Sequence, residues 1–285
     1  MALRTWTTRA VLDWTTQDFA ARGIESPRLD AELLVAKALE TDRVGLYLDL
    51  NRPLSNRERS AIRPLVARRR QREPVAYILG HREFYGRRFT VTPDVLIPRP
   101  DTETLVDHAL ACIPEDAACR VLDVGTGSGA IAVTIAAERP LAVVTATDIS
   151  EAALKVASRN AEQLEVADRI EFERADLLRG AAQYDVVVSN PPYVAQSEID
   201  ALQPEIRQHE PLAALEAGED GLDVVRALLA AVEPATMSGA ELLVEVGIGQ
   251  AASVLDFAAN HAAWHLVAVY PDLDRIDRVV HLRRI

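Results

Sequence analysis

Apolar residues recur at helical spacing through the first quarter of the chain. Ala10, Val11, Trp14 and Phe19 mark one such stripe, and Leu29, Leu33, Leu34, Ala38 and Leu39 another. A period of three to four residues is that of helices burying one face. Ser26 followed by Pro27 offers a cap and a first-turn proline. Ser55 with Glu58 three residues on has the form of a capping box. The pattern predicts a small helical bundle over residues 5–72. Residues 76–80 and 83–91 alternate differently and read as two strands joined by a short turn, a β-hairpin. A stiff segment follows, Val95-Leu96-Ile97-Pro98-Arg99-Pro100, and then a helix starting at Asp101 or Thr102.

From Arg120 the texture changes. Short, mostly apolar runs at 121–124, 142–147, 170–172, 185–188, 241–246, 264–270 and 278–282 read as strands. Helical stretches at 130–138, 151–164, 221–232 and 250–259 lie between most of them. Strands alternating with helices predict a mostly parallel sheet wound on both faces. The domain organisation that follows is a helical part at 1–73, a hairpin linker at 74–98 and an α/β domain at 99–285.

Two loops of that α/β domain carry chemistry. The first, Asp123-Val124-Gly125-Thr126-Gly127-Ser128-Gly129, joins the first strand to its helix. Its alternating glycines let the backbone turn tightly and approach a ligand. The spacing is G-x-G-x-G, whereas a dinucleotide fingerprint runs G-x-G-x-x-G to hold a pyrophosphate at a helix amino terminus. The acidic Asp123 suits a cation better than a pyrophosphate, and S-adenosylmethionine carries both an ammonium and a sulfonium. Asp148 ends the second strand, where a carboxylate can accept from ribose hydroxyls; it could equally cap the next helix. Asp176 could meet an adenine amino group with Leu177 packed on the ring, or the pair could be a turn.

The second loop, Asn190-Pro191-Pro192-Tyr193, closes the fourth strand. The prolines fix φ and donate no hydrogen bond. They leave the Asn190 side-chain oxygen and bare carbonyls as acceptors beside one aromatic face. A planar group bearing an NH2 fits that arrangement. Its lone pair is delocalised, and acceptors placed for the rehybridised nitrogen would favour the transition state of methylation.

Charge adds a second asymmetry. The 285 residues carry a net charge of −12, yet residues 1–90 hold 17 basic and 11 acidic side chains, and residues 91–285 hold 14 and 32. A basic amino-terminal part on an acidic body points to an acidic partner, or to RNA nearby, with Arg68 to Arg72 as docking candidates. The acidic remainder argues against a protein that wraps duplex DNA by charge. No apolar run approaches a membrane span, and the start, Met1-Ala2-Leu3-Arg4-Thr5-Trp6, has no signal-peptide h-region. Cys112 and Cys119 read as reduced structural thiols. His261 and His265 form the one i,i+4 histidine pair, read as non-metal, and no metal site is expected.

These segments resemble the HemK/PrmC family, glutamine methyltransferases acting on peptide-chain release factors. The resemblance runs through Pro27-Arg28-Leu29-Asp30-Ala31-Glu32-Leu33-Leu34, Pro74-Val75-Ala76-Tyr77-Ile78-Leu79-Gly80 and Glu83-Phe84-Tyr85-Gly86. It continues through Val95 to Glu103, the glycine loop, Asp148-Ile149-Ser150, Ser189 to Tyr193, Glu210-Pro211 and Gly218-Glu219-Asp220-Gly221-Leu222. Asn-Pro-Pro-Tyr alone also occurs in adenine and cytosine amino-methyltransferases; the combination is what is specific.

The resemblance implies a seven-stranded, Rossmann-like S-adenosylmethionine-dependent methyltransferase domain behind a helical substrate-recognition domain. It implies cofactor contacts from Gly125, Thr126, Gly127, Ser128, Gly129, Asp148 and Asn190, to which the residue reading adds Asp176 and Leu177. It implies that Asn190, Pro191, Pro192 and Tyr193 hold the glutamine of a Gly-Gly-Gln tip, the catalytic set being Asn190, Pro191 and Tyr193. The expected product of the cofactor is S-adenosylhomocysteine, and the expected partners are class 1 release factors, with no direct DNA and no membrane. A cytoplasmic monomer is expected. Many relatives carry Glu at the place of Asp101, and some carry an aromatic at that of Leu177. Arg99 and Glu103 could shape the site or form structural ion pairs. Three rival readings remain: a base amino-methyltransferase, a nicotinamide-dependent dehydrogenase, and a non-catalytic module on the same fold.

Overall fold

A computed structural model describes residues 6–180, 182–260 and 263–285. The reading of Met1 to Thr5 and of His261 lies outside the described residues. The chain divides into two compact units, one comprising the sequence through Gly80 together with Gln203–His209, the other His81–Leu202 and Glu210–Ile285.

The first unit is helical: α1 Thr8–Ala21, α2 Pro27–Ala38, α3 Arg43–Leu48, α4 Asn56–Arg70, α5 Val75–Leu79 and, far along the chain, Pro204–His209 (α9 in chain order). Thr7 caps α1, and Ser55 and Glu58 form the expected capping box on α4. Leu12, Phe19, Leu34, Val35, Ile62 and Val66 build its core. The strand expected over 76–80 is instead α5, ended by Gly80 at φ +81°. Five apolar residues are too few to separate a helix from a strand by period. The short helix α3 lies within the predicted helical stretch 5–72, although none of the apolar stripes named there marks it.

Polar groups inside this unit are tightly paired. Glu32 accepts from Arg28, Arg43 and the Tyr47 hydroxyl. Arg69 donates to Asp30 at 2.7 Å and pairs with Glu205 at 2.7 Å, and Arg72 reaches the other Glu205 oxygen at 2.6 Å. Burial alone would push Glu205 up, but the hydrogen bonds from Arg69 and Arg72 outweigh it and hold the carboxyl below its usual range. The expectation that Arg68 to Arg72 form a docking patch is therefore corrected in part. Arg69 is buried and Arg72 is committed to Glu205. Arg68 and Arg70 stay partly exposed, paired with Glu73 and Asp18.

The second unit opens with the hairpin, β1 His81–Phe84 and β2 Arg87–Thr90, antiparallel, with Tyr85 and Gly86 in the turn. Phe84 and Phe89 anchor it in the main core. Then come α6 Thr102–Cys112, β3 Cys119–Val124, α7 Ala130–Glu138, β4 Ala142–Asp148, α8 Glu151–Gln163, β5 Ile170–Arg174 and β6 Tyr184–Ser189. After α9 follow α10 Asp223–Val232, β7 Thr236–Glu245, α11 Ala251–Asn260, β8 Trp264–Pro271 and β9 Asp277–Arg284. The seven-stranded sheet has the order β5-β4-β3-β6-β7-β9-β8. Its strands are parallel except β9, which runs antiparallel to both neighbours.

Both faces are covered. Val121 on β3 packs with α6, α7 and α8, whereas Leu122 and Val124 pack with α10 and α11. The sheet grows outward from β3 in one direction to β5, then restarts on the other side at β6. Ligands of open α/β sheets bind at the strand carboxyl ends beside such a reversal. Here Val124 is in register with Thr147 on one side and Ser189 on the other, so the ends of β3, β4 and β6 meet at one edge.

Candidate functional site

A cavity of about 490 Å³ opens at that edge. Gly125, Gly127, Asp148, Asp176, Leu177, Asn190, Pro191 and Pro192 all line it. The structure thus gathers most of the expected site from four separate loops. Thr126, Ser128, Gly129 and Tyr193 are not among its lining residues.

The glycine loop is shaped by hydrogen bonds that the sequence pattern could not specify. Gly125 and Thr126 both donate backbone N–H groups to the Thr147 carbonyl at 2.9 Å. Gly127 donates to Asp148 Oδ2 at 2.9 Å, and Ser150 donates to Asp148 Oδ1 at 2.8 Å. Asp148 thereby closes the glycine loop and starts the next turn while still lining the cavity. Gly125 and Gly127 sit at φ +75° and +55°, a region costly for residues bearing a Cβ. A Cβ at either position would meet no atom closer than 4.0 Å; it would fill the cradle instead. Gly129 has another reason to be glycine: its Cβ would come within 3.0 Å of Ala157 on α8.

Asp123 does not face the cavity. It is fully buried, with Oδ2 accepting from the Thr126 hydroxyl at 2.7 Å and from the Ala132 N–H at 3.1 Å. Burial pushes its carboxyl up to about 7, against the pull of those two donors. Its ionised form is disfavoured in the fold, so this site's contribution to stability is complete below the unfolded carboxyl range near ~4 and lost as pH rises through about 7. Oδ1 has no partner, so asparagine fits the same place without a buried charge. Asp123→Asn is expected to melt above the wild type at pH 8, by roughly 5 °C, with the difference clearly smaller at pH 5. Paired thermal melts at the two pH values check this.

Leu177 is held at φ +67°, a conformation that costs an L-residue roughly 1–2 kcal/mol. The Thr147 hydroxyl donates to its carbonyl, and its side chain packs on the α10–α11 core while lining the cavity.

Asn190 is oriented from outside the loop. Its Nδ2 donates to Thr102 Oγ1 at 3.0 Å, and the buried Glu245 carboxyl lies on the other side of Thr102. Burial pushes Glu245 up to about 7, opposed by the nearby Thr102 hydroxyl and by Arg278 and Arg99. Tyr193 sits behind the cavity wall. Its carbonyl accepts from Gln250 Nε2 at 2.8 Å, and Gln250 Oε1 accepts from the Gly247 N–H at 2.9 Å. A Cβ on Gly221 would lie 2.4 Å from that carbonyl, so the Gly221 turn and Tyr193 are in direct contact. Burial raises the Tyr193 phenol.

Arg99 donates to Glu210 Oε1 at 2.6 Å, and the Ile97 N–H reaches Glu210 Oε2. Glu103 accepts from the Tyr85 N–H at 2.8 Å. Arg99 thus makes a structural ion pair, whereas Glu103 braces the hairpin turn through a backbone hydrogen bond. Thr102, Glu245, Gln250 and the wall segment Pro211, Ala213, Ala214 and Glu216 were missed by the sequence reading. Thr102 and Pro211 lie within quoted motifs, but nothing in those motifs places them at the cavity or names Asn190 as Thr102's partner. Among the described residues, no three His, Cys, Asp or Glu side chains are grouped to hold a metal ion. Among the same residues, no helix is long and apolar enough to cross a membrane.

A reversing seven-stranded sheet with a glycine cradle and an acidic residue ending the neighbouring strand defines a Rossmann-like methyltransferase. The catalytic domain of hMettl16 bound to a MAT2A 3'UTR hairpin shares the fold at a TM-score of 0.58 and 17% identity, over 77% of this chain and 81% of that one. A methyltransferase from Pyrococcus furiosus aligns at 0.52 and 14%, over 70% and 90%. Residues 10–80 match the PrmC N-terminal domain, and residues 102–211 match the methyltransferase small domain. The release factor glutamine methyltransferase of Geobacter sulfurreducens is 46% identical, over 96% of each chain. That of Rhodopirellula baltica is 39% identical, over 98% of this chain and 97% of the other. The chain belongs to the release factor glutamine methyltransferase family.

Proposed function

We propose that the chain methylates the side-chain amide nitrogen of the glutamine in the Gly-Gly-Gln tip of class 1 peptide-chain release factors. The observation that carries this reading is the placement of Asn190, Pro191 and Pro192 on one cavity wall with Gly125, Gly127 and Asp148 on the facing loops. An NH2-holding corner and a cofactor cradle share one space. The cradle suits S-adenosylmethionine, the methyl donor: the glycines leave open room, and the Asp148 carboxylate at the end of β4 can take ribose hydroxyls. Asp176 and Leu177 would hold the adenine, and Thr126, Ser128 and Gly129 would support the loop from behind. When bound, S-adenosylmethionine supplies an electrophilic methyl group on a sulfonium.

The chain's own contribution is orientation. Asn190 Oδ1 and the Pro191 carbonyl accept the two amide hydrogens, which fixes the nitrogen and favours its pyramidal form. Pro192 keeps the corner rigid, and Tyr193 backs it. No strong base is required; alignment and exclusion of water carry the rate. The helical part at 1–73 serves recognition of the release factor's body, with Arg68 and Arg70 as contacts. The protein works as a cytoplasmic monomer, without direct DNA contact.

The test is mass spectrometry of a release factor incubated with the protein and S-adenosylmethionine. One added methyl on the glutamine of the tip is expected. A release factor left unmodified, or label transferred to nucleic acid in its place, would overturn the reading.

A further inference from the structure

We propose that Gln250 is a positioning residue for methyl transfer: it grips the far end of the Asn190-Pro191-Pro192-Tyr193 corner and so aims the acceptors at Asn190 and Pro191. The inference rests on the role given to that corner above. Its basis is one side chain joined to three separate loops. Gln250 sits directly ahead of α11. Its Nε2 donates to the Tyr193 carbonyl at 2.8 Å and to the Gly221 carbonyl at 3.3 Å. Its Oε1 accepts from the Gly247 N–H at 2.9 Å. The loops after β6, ahead of α10 and after β7 are thus tied at one amide group.

The corner cannot hold itself. Its prolines lack an N–H, and among the described residues no backbone-to-backbone hydrogen bond includes Pro191, Pro192 or Tyr193. Side chains hold it at its two ends. Thr102 Oγ1 accepts from Asn190 Nδ2 at the start, and Gln250 donates to the Tyr193 carbonyl at the finish. Regular pairing resumes only afterwards, where the Val194 N–H donates to the Leu215 carbonyl at 2.8 Å and the Ala217 N–H to the Val194 carbonyl at 3.0 Å. With both proline φ angles fixed, the corner moves nearly as one piece. A shift at Tyr193 therefore carries back to the Pro191 carbonyl and the Asn190 side chain.

The place calls for a neutral primary amide. Two carbonyls need hydrogens and one N–H needs an acceptor, and glutamine supplies all three from one group. Glutamate would set an oxygen against two carbonyls, and lysine could donate but not accept. The neighbouring loops make room for it. A Cβ on Gly221 would lie 2.4 Å from the Tyr193 carbonyl oxygen and 2.7 Å from Gln250 Nε2. One on Gly247 would lie 2.8 Å from Gln250 Oε1 and 3.1 Å from the Tyr193 ring. Gly247, unlike Gly221, is outside the left-handed region, so its backbone does not demand glycine; the contact with Gln250 and Tyr193 does. Gln250, Gly221 and Gly247 are not among the cavity's lining residues, so they reach the reaction through the corner.

Gln250→Met keeps the length of the side chain and removes its three hydrogen bonds. It is expected to lower kcat for release-factor methylation at least about tenfold, while affinity for S-adenosylhomocysteine and KM for the release factor stay within about twofold. Gln250→Glu keeps only the acceptor and should fall as far. Gly247→Ala presses on the same contact from the other side and should lower kcat with Gln250 intact. Thermal melts set an assay temperature at which each variant is folded. Combining Gln250→Met with Asn190→Ala should cost less than the two single losses multiplied, as for residues acting as one unit. Wild-type kcat in Gln250→Met, beside an inactive Asn190→Ala, overturns this inference and leaves the Asn190 assignment standing. A fall in S-adenosylhomocysteine affinity that tracks kcat overturns it too, as does full multiplication of the two losses. A fully active Asn190→Ala overturns the underlying reading instead.

Discussion

Asn190→Ala is expected to reduce kcat for release-factor methylation by about 10²-fold or more, the usual scale for deleting one preorganised transition-state partner. The amide nitrogen of glutamine is planar in the ground state and must pyramidalise to attack. An acceptor rigidly placed for the second geometry helps the barrier more than the binding. The loss should therefore fall on kcat, with KM for the release factor little changed. Binding of S-adenosylhomocysteine, followed by calorimetry, should persist, because Gly125, Gly127 and Asp148 still line the cavity. Single-turnover methylation of a release factor measures the rate directly. Wild-type turnover would remove Asn190 from the mechanism.

Arg69→Ala is expected to destabilise the helical unit by about 3–5 kcal/mol, as when one partner is taken from a buried ion pair. The side chain is only 6% exposed, and its partners Asp30 and Glu205 are 11% and 12% exposed. Among the described residues, removing the guanidinium leaves Asp30 with no ion-pair partner, and Glu205 with Arg72 alone. Arg68→Ala is the control. Its pairing with Glu73 lies near solvent, and such pairs contribute less than about 1 kcal/mol. Because two units can unfold separately, hydrogen exchange of amides in α2 and α4 is the suitable measurement. Equal protection in Arg69→Ala and Arg68→Ala would contradict this account.

The arginine run also shows where sequence reading reaches its limit. A string of basic residues reads as a solvated face, and at Arg68 and Arg70 the structure agrees. Nothing local distinguishes Arg69, whose partner Glu205 lies in a distant part of the chain. The same limit hid Glu245, which looked like the end of an apolar strand, and Thr102, which looked like the start of a helix. The sheet was legible for the opposite reason. Parallel strands buried on both faces are continuous apolar runs, and Val121 to Val124 or Val186 to Val188 announce themselves without long-range knowledge. The glycine loop and Asn190-Pro191-Pro192 were legible because backbone constraints are local. Residues 76–80 were misread because five apolar positions carry no period, and the irregular wall around Pro211 to Glu216 has no period at all.

Gln203–His209 has a practical consequence for anyone dissecting the molecule. A fragment beginning at His81 would keep this heptapeptide but lose every helix it folds with, stranding Glu205 without Arg69 or Arg72. Conversely, the amino-terminal fragment ending at Gly80 would expose Arg69 with half its counterions missing. Neither half is a clean excision, and a shortened version would need that excursion removed or its acid neutralised.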